Sequence, residues 1–217
     1  IYERGVADGT SDILLRVEED DPFTAYTGFA NTGVELTGEE EWAFGFNWAN
    51  PFQQEHSFGY HFGTDLEWEN LRAHSVFYQA FLPWRHTLRI IGAHVTSSSD
   101  PALIRVDGLS EQFTGEYRIP LDRPRSLRQL RQYLSFAFDY KSTNTDLIFG
   151  GSAVFGTAVK VGQFRAAYDA TLPDERGVTR FRAGLVASPG DLFDGNDDAS
   201  FAAVRPGSEA GYVYSFA

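Results

Sequence analysis

The sequence predicts an all-β fold: an antiparallel transmembrane β-barrel, with about ten strands present in 217 residues. Three observations carry this. Large apolar residues alternate with small or polar ones at period two, segment after segment. The segments mostly run 8–13 residues, close to the ~9–11 residues a membrane-spanning strand needs and longer than the ~5–6 of a soluble one. The links between them alternate between short and long, as they do when all the short turns lie at one end of a barrel.

The segments fall near 23–30, 41–49, 56–64, 74–82, 86–96, 110–119, 127–140, 161–171, 178–187 and 208–217. In Trp42–Trp48 the large rings take the even positions. Phe58, Tyr60 and Phe62 share a face, with Ser57, Gly59 and His61 opposite. Phe113, Tyr117 and Ile119 oppose Thr114, Glu116 and Arg118. Leu134, Phe136, Phe138 and Tyr140 oppose Ser135, Ala137 and Asp139. Phe164 and Tyr168 oppose Gln163, Arg165 and Asp169, and Phe181 and Leu185 oppose Arg180 and Arg182. One face is aromatic. The other mixes Gly, Ser, Thr and Ala with charge, which is the pattern of an apolar outside and a polar lumen.

The lumen-facing set read from this alternation is Arg89, Glu116, Arg118, Asp139, Gln163, Arg165, Asp169, Arg180 and Arg182. Arg85 is read with them, at a strand end. A packed soluble core would leave these charges unsolvated. Trp42, Trp48, Trp68 and Trp84 sit near segment ends, and Trp42, Trp48 and Trp84 in particular suit an interfacial aromatic girdle.

The short links are Asn50–Glu55, Pro83–Arg85, Pro120–Ser126 and Pro173–Gly177. The others are longer and rich in Gly, Ser, Asp and Asn. The uncharged stretch Leu147–Val159 lies in one long link and could extend the strands beside it.

Composition excludes several classes. There are no cysteines, so no disulfide, thiolate metal site or cysteine nucleophile. Net charge is −12 and the only lysines are Lys141 and Lys160, which excludes the basic face of a nucleic-acid binder. The acidity is local: residues 1–41 carry eleven acids and two bases, and Asp191–Ser200 four acids and no base. The second run lacks the spacing and closing Glu of an EF-hand and is read as a solvated loop. No Gly-x-Ser-x-Gly, phosphate loop or His-Glu-x-x-His occurs. The chain is therefore expected to be non-enzymatic, with no catalytic or metal residues and no cofactor. Rim pairs such as His61/Asp65 or His74/Ser75 offer only a forced hydrolase.

Asp21-Pro-Phe-Thr-Ala-Tyr-Thr-Gly-Phe-Ala-Asn-Thr-Gly33, Phe46-Asn-Trp-Ala-Asn-Pro-Phe52, Arg72-Ala-His-Ser75 and Leu82-Pro-Trp-Arg-His-Thr-Leu88 follow one another in order, with Ser188-Pro-Gly190 and Gly211-Tyr-Val-Tyr214 further on. Together they resemble the two-partner secretion outer-membrane transporters of the haemolysin secretion/activation type. That resemblance implies periplasmic POTRA domains followed by a 16-strand barrel. The barrel would pass an unfolded exoprotein across the bacterial outer membrane, with folding of that protein outside supplying direction. It implies that residues 1–21 are the end of a POTRA domain and a lead-in, with its last strand at Asp12–Glu19. Residues 22–217 would be the N-terminal part of the barrel. The family's Val-Arg-Gly-Tyr/Phe motif is expected after Ala217. The partners implied are the unfolded exoprotein and outer-membrane lipid, with no nucleic acid. Other readings are a barrel-assembly factor of the same superfamily, a passive porin, and a soluble β-sandwich binding module. Ten strands alone are expected to form an open curved sheet or a smaller closed barrel.

Overall fold

The computed structural model describes residues 2–4, 11–13, 21–33, 38–100, 104–149, 152–175 and 177–217. Ten strands form one antiparallel sheet in strict chain order: β3 (Phe23–Ala30), β4 (Glu41–Ala49), β5 (Ser57–Asp65), β6 (Leu71–Phe81), β7 (Thr87–Ser99), β8 (Ile104–Pro120), β9 (Arg131–Phe149), β10 (Ser152–Asp174), β11 (Gly177–Pro189) and β12 (Gly211–Phe216). Each strand pairs with the next in sequence. A two-sheet sandwich with Greek-key crossings does not have this order. β3 and β12 end the sheet, so among the described residues it is open, the first of the two outcomes expected for ten strands.

Ahead of it, β1 (Tyr2–Arg4) pairs antiparallel with β2 (Ser11–Ile13). The expected strand Asp12–Glu19 is therefore described only at its start. Residues 14–20 lie outside the described residues.

All ten expected strands are present, but the links differ from expectation. β9 and β10 run on to Phe149 and Ser152, as the uncharged stretch Leu147–Val159 allowed, so only 150–151 lie between them. β7 and β8 likewise leave only 100–103 between them. The two ends of the sheet thus differ mainly in how far strands project, not in loop length. The physical reason is that Ser, Thr and Asn at alternate positions continue a pleat as readily as they make a loop. Pro173 is also inside β10, paired with Val178, and β9 starts at Arg131, so that turn runs 121–130.

The turns at the β4–β5 end use unusual backbone. Asn50, Phe52, Gln53 and Glu55 all have positive φ, and the Asn50 side chain accepts the Glu55 N–H at 2.8 Å. Arg85, expected beside the charged face at a strand end, instead occupies the β6–β7 turn at φ 68°. The Arg85 N–H bonds the Leu82 carbonyl at 2.9 Å.

The link after β11 was expected to be a loop. It contains a helix, α1 (Asp198–Val204), capped by the Asp197 side chain. Asn196, fully buried, ties this link down: its side chain donates to the Lys160 carbonyl at 2.9 Å and accepts the Leu192 N–H at 3.3 Å. Gly195 accepts the Lys160 N–H at 3.0 Å. The link thereby pairs with the stretch of β10 that extends past β11, a standard way to cover a strand edge.

Candidate functional site: the polar face of the sheet

The pairing register fixes which residues share a face, because partners across a ladder point the same way. Arg89 pairs with Glu116, Glu116 with Ala137, Ala137 with Arg165, and Arg165 with Val186. Arg118, Asp139, Gln163, Asp169, Arg180 and Arg182 stand an even number of residues from these. The nine residues named from alternation therefore lie on one face of β7–β11, where five arginines meet three carboxylates.

This face is also the crowded one. Thr114, Glu116, Ser135, Ala137, Asp139, Ala167 and Val186 are all buried, while Phe113, Phe136, Phe164, Phe181 and Leu185 on the opposite face are each around half exposed. Side chains that screen one another on one face and splay apart on the other mark a sheet curved toward its polar side.

Two clusters organise the charges. In the first, Arg89 Nη1 and Arg118 Nη2 each lie 3.4 Å from Glu116 Oε2, and Arg89 Nη2 donates to Gln79 Oε1 at 3.1 Å. Arg118 also lies over the Tyr133 ring at 5.6 Å. In the second, Asp139 is the hub. The Thr114 hydroxyl donates to Oδ1 at 2.8 Å, the Gln163 amide to Oδ2 at 3.3 Å, and Arg165 Nε is 3.5 Å away. The Tyr212 hydroxyl then donates to Gln163 Oε1 at 2.7 Å. Beyond them Arg182 pairs with Asp169 at 3.3 Å and covers the Phe216 ring at 5.7 Å. Arg180 is exposed and stands apart from both clusters. Each buried carboxylate thus has hydrogen-bond donors, the condition for keeping charge out of bulk water.

Over β3–β6 the same face is different. Gly28, Ala43, Gly63 and Ala73 form one row of small residues across four strands, beside the row in which Tyr26 lies over Gly45 toward His61. The polar face therefore has a side crossed by a row of small residues and a side set with long charged side chains.

The lumen-facing set left out Gln79, Thr114 and Tyr212, although alternation had already set Thr114 opposite Phe113 and the parity of Gln79 puts it on this face. Their use as partners follows only from register. Alternation set Tyr117 and Tyr168 on the aromatic face but did not show that they, with Tyr78, are hydrogen-bonded near its β4–β5 turn end. Tyr78 bonds His56 Nδ1 at 2.7 Å, Tyr168 donates to Gln132 Oε1 at 2.7 Å, and Tyr117 takes both Trp84 Nε1 at 2.8 Å and His86 Nδ1 at 2.6 Å. Of the tryptophans named as a girdle, Trp42 and Trp48 lie on the aromatic face at opposite ends of β4. Trp84 lies in the β6–β7 turn, 58% exposed. The forced hydrolase pairs are otherwise engaged: His61 bonds Tyr26, and the Asp65 carboxylate accepts the Leu71 and Asn70 N–H groups.

No described helix is long and apolar enough to cross a membrane, which says nothing of strands. Among the described residues no group of three or more His, Asp or Glu is placed to hold a metal ion.

Residues 9–100 match the family model of the haemolysin secretion/activation proteins ShlB/FhaC/HecB. Among solved structures, CdiB from Escherichia coli matches with a TM-score of 0.68 at 16% identity, over 89% of this chain and 36% of CdiB. The chain thus spans little more than a third of the structure it matches. No curated protein matches it in sequence. Through the sequence pattern of residues 9–100 and a fold shared with CdiB, the chain is identified as similar to the two-partner secretion transporters of the haemolysin secretion/activation family, and as a partial barrel.

Proposed function

We propose that this chain is the N-terminal part of an outer-membrane pore that secretes a partner exoprotein without enzymatic chemistry. Residues 1–21 are the lead-in from a POTRA domain, and residues 22–217 the first ten strands of the barrel. The observation that carries the reading is the contrast between the two faces. Five arginines and three carboxylates crowd one side, and half-exposed phenylalanines cover the other. Water on the first and lipid on the second satisfies both.

On this reading Arg89, Glu116, Arg118, Asp139, Gln163, Arg165, Asp169, Arg180 and Arg182 line the passage. Trp42, Trp48 and Trp84 sit at the lipid boundaries with Tyr78, Tyr117 and Tyr168. An unfolded chain in transit carries unpaired backbone N–H and C=O groups, each costly to desolvate. The charged side of the wall offers it donors, and the row of Gly28, Ala43 and Gly63 leaves it room. The ion pairs tie the long side chains to the wall rather than across the passage.

The test uses the full-length protein purified in detergent. It is expected to show a heat-modifiable gel shift and single-channel conductance in planar bilayers. Exchanging Arg165 for Glu should move the reversal potential toward cations. A full-length protein that stays soluble without detergent and shows no heat shift would overturn the proposal.

A further inference from the structure

A polar row crosses the aromatic face, running in register from His74 and His94 through Glu111 and Ser142 to Lys160. His74 of β6 pairs with His94 of β7, and His94 with Glu111 of β8, so the three stand side by side well inside their strands. His94 Nδ1 and Glu111 Oε1 are 3.2 Å apart, and both side chains are nearly half exposed (48% and 41%). His74 Nδ1 meets the Tyr60 hydroxyl at 2.7 Å. In the same row on β4 and β5 stand Phe44 and Phe62. Ionisable groups at such a position are costly against hydrocarbon and by default mark a site.

Directly beneath lies a slot. The next row toward the β6–β7 turn is Tyr60, Val76, Gly92, Phe113 and Tyr140. Three rings stand tall around two small residues. Gly92 is what opens the gap, since a Cβ there would press on Val76 Cγ1 at 3.0 Å. The cavity so formed measures about 440 Å³. Its floor and walls are mostly hydrocarbon, and its upper edge is imidazole and carboxylate.

We propose that this slot binds one sugar-headed lipid of the outer leaflet, with an acyl chain over Val76 and Gly92 and head-group hydroxyls on His74, His94 and Glu111. This rests on the membrane reading above. The split of apolar slot below and polar row above fits an amphiphile. The chemistry of the row selects the head. No lysine or arginine lines the cavity, and the one ammonium in the row, Lys160, stands two strands beyond Glu111, so a phosphate in the slot would meet the Glu111 carboxylate first. Hydroxyl groups both donate and accept, which is what a carboxylate, two imidazoles and a tyrosine hydroxyl together require. Ring faces such as Tyr60 and Phe113 beside them suit the C–H face of a sugar.

The test is photolabelling of the full-length protein in lipid nanodiscs. The probes are an alkyl maltoside with a diazirine in its tail and a phosphatidylglycerol carrying the same group. The maltoside is expected to label the segments around Tyr60, Val76, Gly92 and Phe113 above the rest of the barrel, and the phosphatidylglycerol is not. V76F and G92L fill the slot from different strands and should each abolish the excess. H94A and E111A should each lower it about fivefold, the worth of one hydrogen bond. Even labelling around the barrel, equal labelling by both probes, or indifference to V76F in a correctly folded barrel would overturn the site alone. Crosslinks from the slot to a second copy of the chain would assign it to an interface and also overturn it. Failure of the heat-modifiable shift would instead overturn the membrane reading, and the site with it.

Discussion

Tyr26 lies across Gly45, and its hydroxyl meets His61 Nδ1 at 3.2 Å on the far side. The register puts Tyr26, Gly45 and His61 in one row of β3, β4 and β5. The two rings stack at 6.1 Å, and the missing side chain is what lets Tyr26 lie down. A Cβ at Gly45 would run into the Tyr26 ring and come within 2.7 Å of the Tyr60 carbonyl.

Gly45→Ala is therefore expected to destabilise the full-length barrel by about 1–3 kcal/mol, the usual range for overpacking. A lower urea midpoint at unchanged slope would report it. Gly28, also on this face, is the control. The nearest atom to its added Cβ is Ala43 Cβ at 3.9 Å, so Gly28→Ala should stay within about 0.5 kcal/mol. Equal losses at the two positions would remove the packing explanation.

Asp139 holds three side chains at once: Thr114, Gln163 and Arg165. Asp139→Ala leaves the Thr114 and Gln163 donors without an acceptor and Arg165 without its ion pair, and should cost about 2–4 kcal/mol. Asp139→Asn keeps an oxygen for Thr114 but loses the ion pair, so it should fall between. A double-mutant cycle of D139N with R165Q isolates the pair. A coupling under about 0.3 kcal/mol would mean the charges are fully screened by water.

The faces of this sheet were legible because a period-two pattern needs no knowledge of partners. The side of Arg165 is set once Phe164 is known to point the other way. What was not legible depends on contacts across strands. Gln79 as the partner of Arg89, or Tyr212 as that of Gln163, follows from register, and register is fixed by pairing along the whole sheet. The extension of β9 and β10 was left open between strand and loop for a different reason. Between Leu147 and Val159 no charge marks an inside or an outside, and Ser, Thr, Gly and Ala serve strand and loop alike. Helix α1 spans only Asp198–Val204, too short for a 3.6-residue period to repeat twice. Its one readable signal was the cap, Asp197 three residues ahead of Ser200.

Tyr117 closes the β6–β7 turn through Trp84 and His86. Tyr117→Phe removes the oxygen and keeps the ring. Both nitrogens then lose their partner, and the expected cost is about 1–2 kcal/mol. Amide exchange at Leu82–His86 should quicken, since Leu82 N–H and Arg85 N–H are held by that turn. Tyr168→Phe loses only the Gln132 contact and should cost less. If Tyr168→Phe proved the more damaging, the double contact at Tyr117 would not be what holds this end of the aromatic face.

The helix cap gives a pH dependence whose sign can be worked out. The Ser200 N–H and the Ser200 hydroxyl both donate to the Asp197 carboxylate, each at 2.9 Å. The backbone bond first, and the hydroxyl second, favour the charged form and hold Asp197 below its ordinary value. An unfolded aspartate titrates near ~3.9. The folded group titrates lower, so the cap's contribution is fully present above the ordinary value and is lost as pH falls through the lowered one. The Ser200 amide resonance should accordingly titrate with a midpoint below that of a free aspartate. Asp197→Asn keeps an acceptor and should abolish the titration while leaving α1 intact. Asp197→Ala should fray it, quickening exchange at Arg205, whose N–H bonds the Phe201 carbonyl at 2.9 Å. A Ser200 midpoint at or above the free-aspartate value would mean that the cap does not form in solution.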